Sequence, residues 1–294
     1  MHALLPPDSD SHKKIWNQIN KVKRIAFPSV LTSLQVGVSG FNRKDDEKTI
    51  LSHGIPDAEL NSRYEILQYQ HRMHPDISKI PRRIYYKNEA LLDVSSVIEQ
   101  SDGGEGGRDW SYDNNGKFRS RFWWRDVAGN DDKNVNRKEI EAVLDELDSF
   151  VKWVNSRNNS DPERTWELLI VTFYDAQRKA IMEELRKKGK GNERNYTIFD
   201  ISGVRVYNYT VDKVQGREAD FVILSTVRTR KIGFMDNPNR QNVAITRARY
   251  QTLIIGNRCF FGRRQSSREF QMITEQSMPE FDFSRCDKRR GNMR

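Results

Sequence analysis

Four short stretches gather residue types that can grip and polarise phosphate. They are Gln68-Tyr-Gln-His-Arg-Met-His-Pro75, Val171-Thr-Phe-Tyr-Asp-Ala-Gln177, Val211-Asp-Lys-Val-Gln-Gly-Arg-Glu218 and Asn242-Val-Ala-Ile-Thr-Arg-Ala-Arg249. Phosphoryl transfer needs positive charge placed where charge develops on the γ-phosphate. Arginine suits that task, because its planar guanidinium holds phosphate through two parallel hydrogen bonds. Arg72 and Arg247 are the candidates, with Arg249 in a structural or supporting role; an isolated arginine would more often make a structural salt bridge. In Gln215-Gly216-Arg217-Glu218 the glycine permits a tight turn and close approach of a ligand. Glu218 alone reads equally as an acid at a helix start. Paired with Asp220 it could hold a metal in a nuclease, but no spaced third acid and catalytic lysine accompany the pair. His71 and His74 stand three apart, a spacing that suits a metal pair less well than stacking or core roles. Thr172 and Thr210 end expected strands, where a hydroxyl can bond the phosphate oxygens of a nucleic-acid strand or simply cap a turn.

These residues need a scaffold. Ile140, Val143, Leu144, Leu147, Phe150, Val151 and Val154 recur near period 3.6 and predict a helix from about Arg137 to Val154, started by an Asn136/Glu139 capping box. Leu168 to Phe173 reads as a buried strand. Asp175 caps a second helix to about Lys188, whose Glu183/Lys187 and Glu184/Lys188 pairs support an exposed face. Further strands are expected at about 119–127, 204–211, 221–227 and 252–255, with helices at 239–249 and 266–276. Residues 75–92 suggest short helical turns. Strands alternating with helices predict an α/β fold, a parallel sheet covered on both faces. Its ligand edge is expected at the C-terminal ends of the strands, gathering Arg72, Gly216, Glu218 and Arg247. Phe27, Val30, Leu31, Leu34 and Val38 form one apolar helical face near the N-terminus. Residues 101–118, rich in glycine, predict a flexible surface loop.

The 294 residues carry 50 Lys and Arg against 41 Asp and Glu, a net charge of +9. With a pI near 9.5 and a mean hydropathy of -0.82, the chain suits a polyanionic partner, nucleic acid above all. Two cysteines exclude a disulfide scaffold and a zinc site needing several thiolates. No segment approaches the ~18 apolar residues of a membrane span, and residues 1–10 lack the pattern of a secretory signal. A cytoplasmic protein, or a nuclear one in a eukaryote, is expected. The six tryptophans suit the core better than base stacking.

All four stretches, in this order, closely resemble the second RecA-like domain of superfamily 1 helicases of the nonsense-mediated-decay helicase and senataxin type. The resemblance covers roughly residues 64–92 and 119–257. It implies a RecA-like, P-loop NTPase fold. It implies that Arg72 and Arg247 reach the γ-phosphate across a domain cleft. Gln215, Gly216 and Glu218 would lie beside the nucleotide, the carboxylate on the ribose hydroxyls. His71 stands where the family usually has a Tyr stacked on adenine; imidazole offers less area. Thr172, Thr210 and Asn136 would follow the backbone of a single strand, without reading sequence.

A phosphate-cradling Gly-x-x-x-x-Gly-Lys-Thr/Ser loop occurs nowhere in the 294 residues, and Asp145-Glu146 lies inside an amphipathic helix rather than at a strand end. In the family both elements belong to the first RecA-like domain. The expected organisation is therefore 1–62 as a remnant of that first domain and linker, 63–257 as the second RecA-like domain, and 258–294 as a basic tail. The expected activity is that of the C-terminal half of an ATP-dependent helicase. It uses ATP and Mg2+ only together with a first domain in cis or in trans, binds single-stranded nucleic acid and no membrane, and is inactive alone. A binding or scaffold module that kept the fold is the alternative.

Overall fold

The computed structural model describes residues 67–86, 91–98, 112, 118–157, 164–191, 197–263, 266–284 and 286, with isolated positions between 34 and 59. The chain divides into two compact units, residues 1–67 and 68–294. In the first, Leu34 is helical and its carbonyl accepts from the Ile55 amide at 2.7 Å. Gly37, within the helix expected around 27–38, is non-helical at φ 75°, and the remainder of that stretch lies outside the described residues.

In the second unit the elements follow in order β1 (Tyr69–Gln70), α1 (Pro75–Ile84), β2 (Leu92–Asp93), α2 (Ser95–Ile98), β3 (Phe122–Asp126), α3 (Arg137–Arg157), β4 (Trp166–Thr172), α4 (Asp175–Lys188), β5 (Lys190–Gly191), β6 (Ile198–Ile201), β7 (Val204–Thr210), β8 (Ala219–Ser225), α5 (Pro238–Ile245), β9 (Ala248–Gly256), α6 (Arg258–Phe261) and α7 (Arg268–Gln276). A seven-stranded sheet has the order β3-β9-β8-β4-β7-β6-β5. Strands β3, β9, β8, β4 and β7 are parallel, while β6 and β5 add an antiparallel edge. The β6–β7 hairpin turns on Ser202 and Gly203, at φ 45° and 85°. Positive φ at both central residues matches the right-handed twist of the flanking strands.

Period-2 alternation sends neighbouring residues to opposite faces. Leu168 and Ile170 of β4 join Phe221, Ile223, Leu253 and Ile255 under Val143, Leu147 and Phe150 of α3 and Ile181 and Leu185 of α4. Leu169 and Val171 face the other way, with Val222, Leu224 and Ile254, against Ile77 and Ile80 of α1, Ile245 of α5, Phe261 of α6 and Phe270 and Ile273 of α7. Both faces are therefore covered, which is why the central strands read as unbroken apolar runs. Helix α1 is one continuous element with Pro81 inside it rather than a set of short turns. No helix among the described residues is long and apolar enough to cross a membrane.

Three expectations are corrected. Residues 258–284 are no tail: Phe260, Phe261, Phe270 and Ile273 are core, and Met278 exchanges backbone hydrogen bonds with β3 at 2.7 and 3.2 Å. Cys259 and Cys286 form a disulfide that closes this segment; two cysteines rule out a scaffold, not one cross-link. The span 101–118 lies mostly outside the described residues, but Tyr112 and Phe118 are buried, packed edge-on against Phe150 and Trp123 respectively. Their aromatic area outweighs the polar composition around them.

Because Phe270 is fully buried, with its ring 4.7 Å from that of Phe261, Phe270→Ala should lower unfolding free energy by about 3–5 kcal/mol in chemical denaturation. A surface tail would leave the midpoint unchanged.

Candidate functional site

Strands β4, β8 and β9 begin side by side, and charged residues crowd their N-terminal ends. Arg249 enters β9 with its guanidinium among three carboxylates. It lies 2.6 Å from Glu167 Oε2, 3.1 Å from Asp220 Oδ1 and 3.3 Å from Glu218 Oε1. Glu218 Oε2 accepts in turn from Arg72 Nε at 2.6 Å. Arg72 is delivered by the turn after β1. Buried Gln70 accepts there from the amides of Arg72 and Met73 at 3.0 and 2.7 Å, and the His74 amide bonds the Arg249 carbonyl at 2.9 Å. His74 is the N-cap of α1, its Nδ1 accepting from the Asp76 amide at 3.1 Å. Burial lowers its pKa, which favours the neutral ring that this acceptor role requires.

Arg72 and Arg247 meet at Thr246. Arg72 Nη1 donates to the Thr246 carbonyl at 3.0 Å and Arg247 Nη2 to its hydroxyl at 2.9 Å. Burial first, and then the Arg72 charge, pull the Arg247 guanidinium down to about 10, with Glu218 opposing. It remains charged at neutral pH. Burial pushes the Glu218 carboxyl up, but Arg72 and Arg249 together outweigh it and hold the group below its ordinary value. Burial raises Asp220 despite Arg249 beside it. Gly216 stands exposed at φ +81°, with open space where a Cβ would be. Below it a cavity of about 250 Å³ is lined by Glu167, Leu169, Tyr207, Arg217, Glu218 and Arg249. Gln215 and His71 are exposed on the same two turns as Gly216 and Arg72.

Arg72, Glu218 and Arg247 thus come together, as the family resemblance implies, but on the opposite edge of the sheet from the expected one. Strand β7 ends at Thr210, at the C-terminal edge, and β8 is parallel to β4, which is parallel to β7. The connection 211–218 must travel back over β4 before β8 can start. Its last residues therefore lie at the N-terminal edge. Arg247 and Arg249 arrive there likewise, because α5 makes the return before β9. Glu167, the third carboxylate on Arg249, carries no motif of its own; only the position of β4 brings it in.

The hydroxyl residues lie at the other edge, about 20 Å away along the seven residues of β4. Thr172 is in register with Thr210 on one side and Ser225 on the other. Thr172 Oγ1 is buried with no hydrogen-bond partner among the described residues. Asn136 is linked to this edge through Gln177 and Ser225, but by its backbone. It is fully buried, accepting from the Glu139 amide at 3.3 Å and donating to Glu139 Oε1 at 3.1 Å and the Val227 carbonyl at 3.2 Å. The capping pair that the sequence announces consumes its hydrogen-bonding capacity. Glu139 Oε2 accepts from Ser225 Oγ at 2.7 Å and the Val227 amide at 2.8 Å. This bond and the Asn136 bond to its carbonyl hold Val227 at φ +69°, a conformation that costs a β-branched residue about 1–3 kcal/mol. Burial pushes the Glu139 carboxyl up to about 8, against the pull of the Val227 amide and the Ser225 hydroxyl.

Arg249→Ala leaves nearly buried Asp220 with only the more distant Arg164, at 3.8 Å, and should cost up to about 3–5 kcal/mol in denaturant unfolding. Arg249→Lys should recover only part, because an ammonium cannot span three carboxylates. Glu139 gives a pH prediction. Its folded value of about 8 exceeds the ordinary 4.5, so the folded protein keeps a proton that the unfolded chain releases. The contribution of Glu139 to stability is full below that ordinary value and falls as pH rises through the folded one. Glu139→Gln should flatten this part of the decline in melting temperature across that window.

Residues 47–259 match the AAA domain family, AAA_12. The chain is 30% identical over 195 residues to the "Regulator of nonsense transcripts 1 homolog" of Arabidopsis thaliana, an alignment covering 65% of this chain and 14% of that protein. It is 31% identical over 195 residues to the "ATP-dependent helicase upf1" of Schizosaccharomyces pombe, covering 65% of this chain and 19% of that protein. The chain thus spans less than a fifth of the length of these relatives. With its mostly parallel, doubly covered sheet, the chain belongs to the AAA domain family, as a RecA-like domain of the superfamily 1 helicase type.

Proposed function

We propose that this chain is the second RecA-like half of an ATP-dependent helicase acting on single-stranded nucleic acid. One observation carries the reading. Two guanidiniums, Arg72 and Arg247, are held side by side on Thr246 with the Glu218 carboxylate beside them. Burial first and the neighbouring Arg72 charge second lower the Arg247 value, and an arriving phosphate would offset both. Glu218 neutralises only one of the two charges, which leaves the pair suited to a further anion.

In this reading a first RecA-like domain, in cis or in trans, holds ATP and Mg2+, and the γ-phosphate of ATP is the group transferred to water. Arg72 and Arg247 present fixed positive charge to it from across the cleft, as arginine fingers. Glu218, kept ionised by Arg72 and Arg249, is an acceptor suited to ribose hydroxyls. The Gln215–Gly216 turn, with no side chain at Gly216, lets the nucleotide approach the backbone. His71 offers an exposed flat ring to the base. At the far edge Thr172 and Thr210 end neighbouring strands, and because Thr172 is fully buried and Thr210 nearly so, their hydroxyls would meet a strand's phosphates only if the loops above them open. Asn136 has no part in it.

The chain alone should show essentially no strand-stimulated ATP hydrolysis. Joined to a first RecA-like domain, it should show turnover that Arg72→Ala or Arg247→Ala reduces about 10³-fold or more, while anisotropy binding to a single strand changes little. Robust hydrolysis by the chain alone would reveal an unrecognised phosphate site. Full activity of both alanine variants in the joined enzyme would refute the finger assignment and favour a binding module that only keeps the fold.

A further inference from the structure

Phe234 is the most exposed large aromatic residue among those described, at 74%. It sits on the single 3₁₀ turn Gly233–Asp236, in the loop that leaves the C-terminal end of β8. Lone exposed hydrophobics are ordinary, but this one is aimed outward by a firmly held loop. Next to it Met235 is fully buried, and the Met235 carbonyl accepts from Gln241 Nε2 at 2.6 Å. On the other side Gly233 takes φ +59°, which favours glycine. Arg228 pins the loop base, with Nε on the Lys231 carbonyl at 2.7 Å and Nη1 on Asp131 and Asn134, both at 2.9 Å. The Tyr174 hydroxyl donates to the Ile232 carbonyl at 3.4 Å. Because Tyr174 follows the end of β4 by two residues, the loop lies at the same edge as Thr172.

The loop is also basic. Arg230 and Lys231 are both exposed, and neither makes an ion pair with another described residue. An exposed ring with flanking cations has the two components of sequence-tolerant strand binding: a face for a base and charge for the backbone.

We infer that Phe234 is a stacking platform for one base of a single strand lying along the C-terminal edge, with Arg230 and Lys231 on the neighbouring phosphates. This rests on the proposed nucleic-acid function, and the charge of the loop selects a polyanion over an apolar protein partner.

The test uses the full 294-residue chain with fluorescein-labelled oligothymidylate and oligouridylate of about 15 nucleotides, titrated at several salt concentrations. A parallel set carries one 2-aminopurine, whose fluorescence falls on stacking. Phe234→Ala and Phe234→Leu should each weaken binding roughly 5- to 100-fold, as loss of one base–aromatic stack does. The salt slope should stay unchanged and the quenching should be lost. Phe234→Trp should keep both affinity and quenching. Arg230→Ala/Lys231→Ala should instead lower the salt slope by about 1.4, two phosphates' worth for a single strand. Unchanged affinity and quenching in Phe234→Ala, with the parent chain binding well, would overturn the stacking assignment and leave the nucleic-acid reading standing. Phe234→Leu retaining both would overturn it too, since only apolar area would then count. No binding by the parent chain at any salt would sink the underlying reading itself. DNA and RNA probes that behave alike are expected, because a ring face does not sense the 2′-hydroxyl.

Discussion

At the start of β9, Arg249 holds three carboxylates that come from two other strands. Glu167 belongs to β4, Asp220 to β8, and Glu218 stands immediately before β8. Without a cation there, three negative groups would meet where the strand starts converge, and nearly buried Asp220 would keep only Arg164, 3.8 Å away, as counter-charge. With it, the register of the three central strands and the position of Glu218 are fixed together. Arg72 then docks on the remaining face of Glu218, and the turn that carries Arg72 is fastened to the Arg249 carbonyl itself. Most of the candidate site is thus a consequence of one guanidinium. A lysine could not replace it, since one ammonium lacks the fork that reaches three acceptors.

Chain direction separates the molecule's two chemistries. In a parallel sheet every connection must return from the C-terminal edge to the N-terminal one. Residues that close a strand and residues that open the next therefore finish on opposite edges, even when few positions separate them. Thr210 and Glu218 are eight residues apart in sequence and mark the two edges. Charged side chains collect at one edge, and the buried hydroxyls of Thr172, Thr210 and Ser225 collect at the other. The sheet between them is packed with apolar side chains on both faces.

The hydroxyl edge depends on buried polar groups rather than ions. Glu139, Asn136, Gln177 and Ser225 bond one another behind the end of β8. Their bonds to Val227 hold the chain in a left-handed conformation as it leaves the strand. That aims the following segment, with Arg228 at its base and Phe234 at its tip. A raised Glu139 value follows from burying a carboxyl whose partners include no cation among the described residues. The network illustrates how a capping pair, local in sequence, can set the path of a loop some ninety residues downstream.

The sequence by itself determined the α/β class, the two long helices, the central strands and the gathering of Arg72, Glu218 and Arg247. The elements rest on local periodicity, and the gathering on four short stretches in an order that resembles one helicase family. Tertiary structure alone decided which edge of the sheet the site occupies, because that depends on strand direction and not on the order of residues. It also decided that Glu167 joins the site, since β4 must first be placed beside β8. Asn136 shows the converse: its capping role was legible, yet its burial, which removes it from any nucleic-acid surface, follows from the packing of α3 against β8. Residues 258–284 read as a basic tail because their apolar residues keep no long period. They become core only when β3 and the second face of the sheet exist to receive Phe261, Phe270 and Met278. Burial is a property of what arrives from elsewhere in the chain, and no local pattern encodes it.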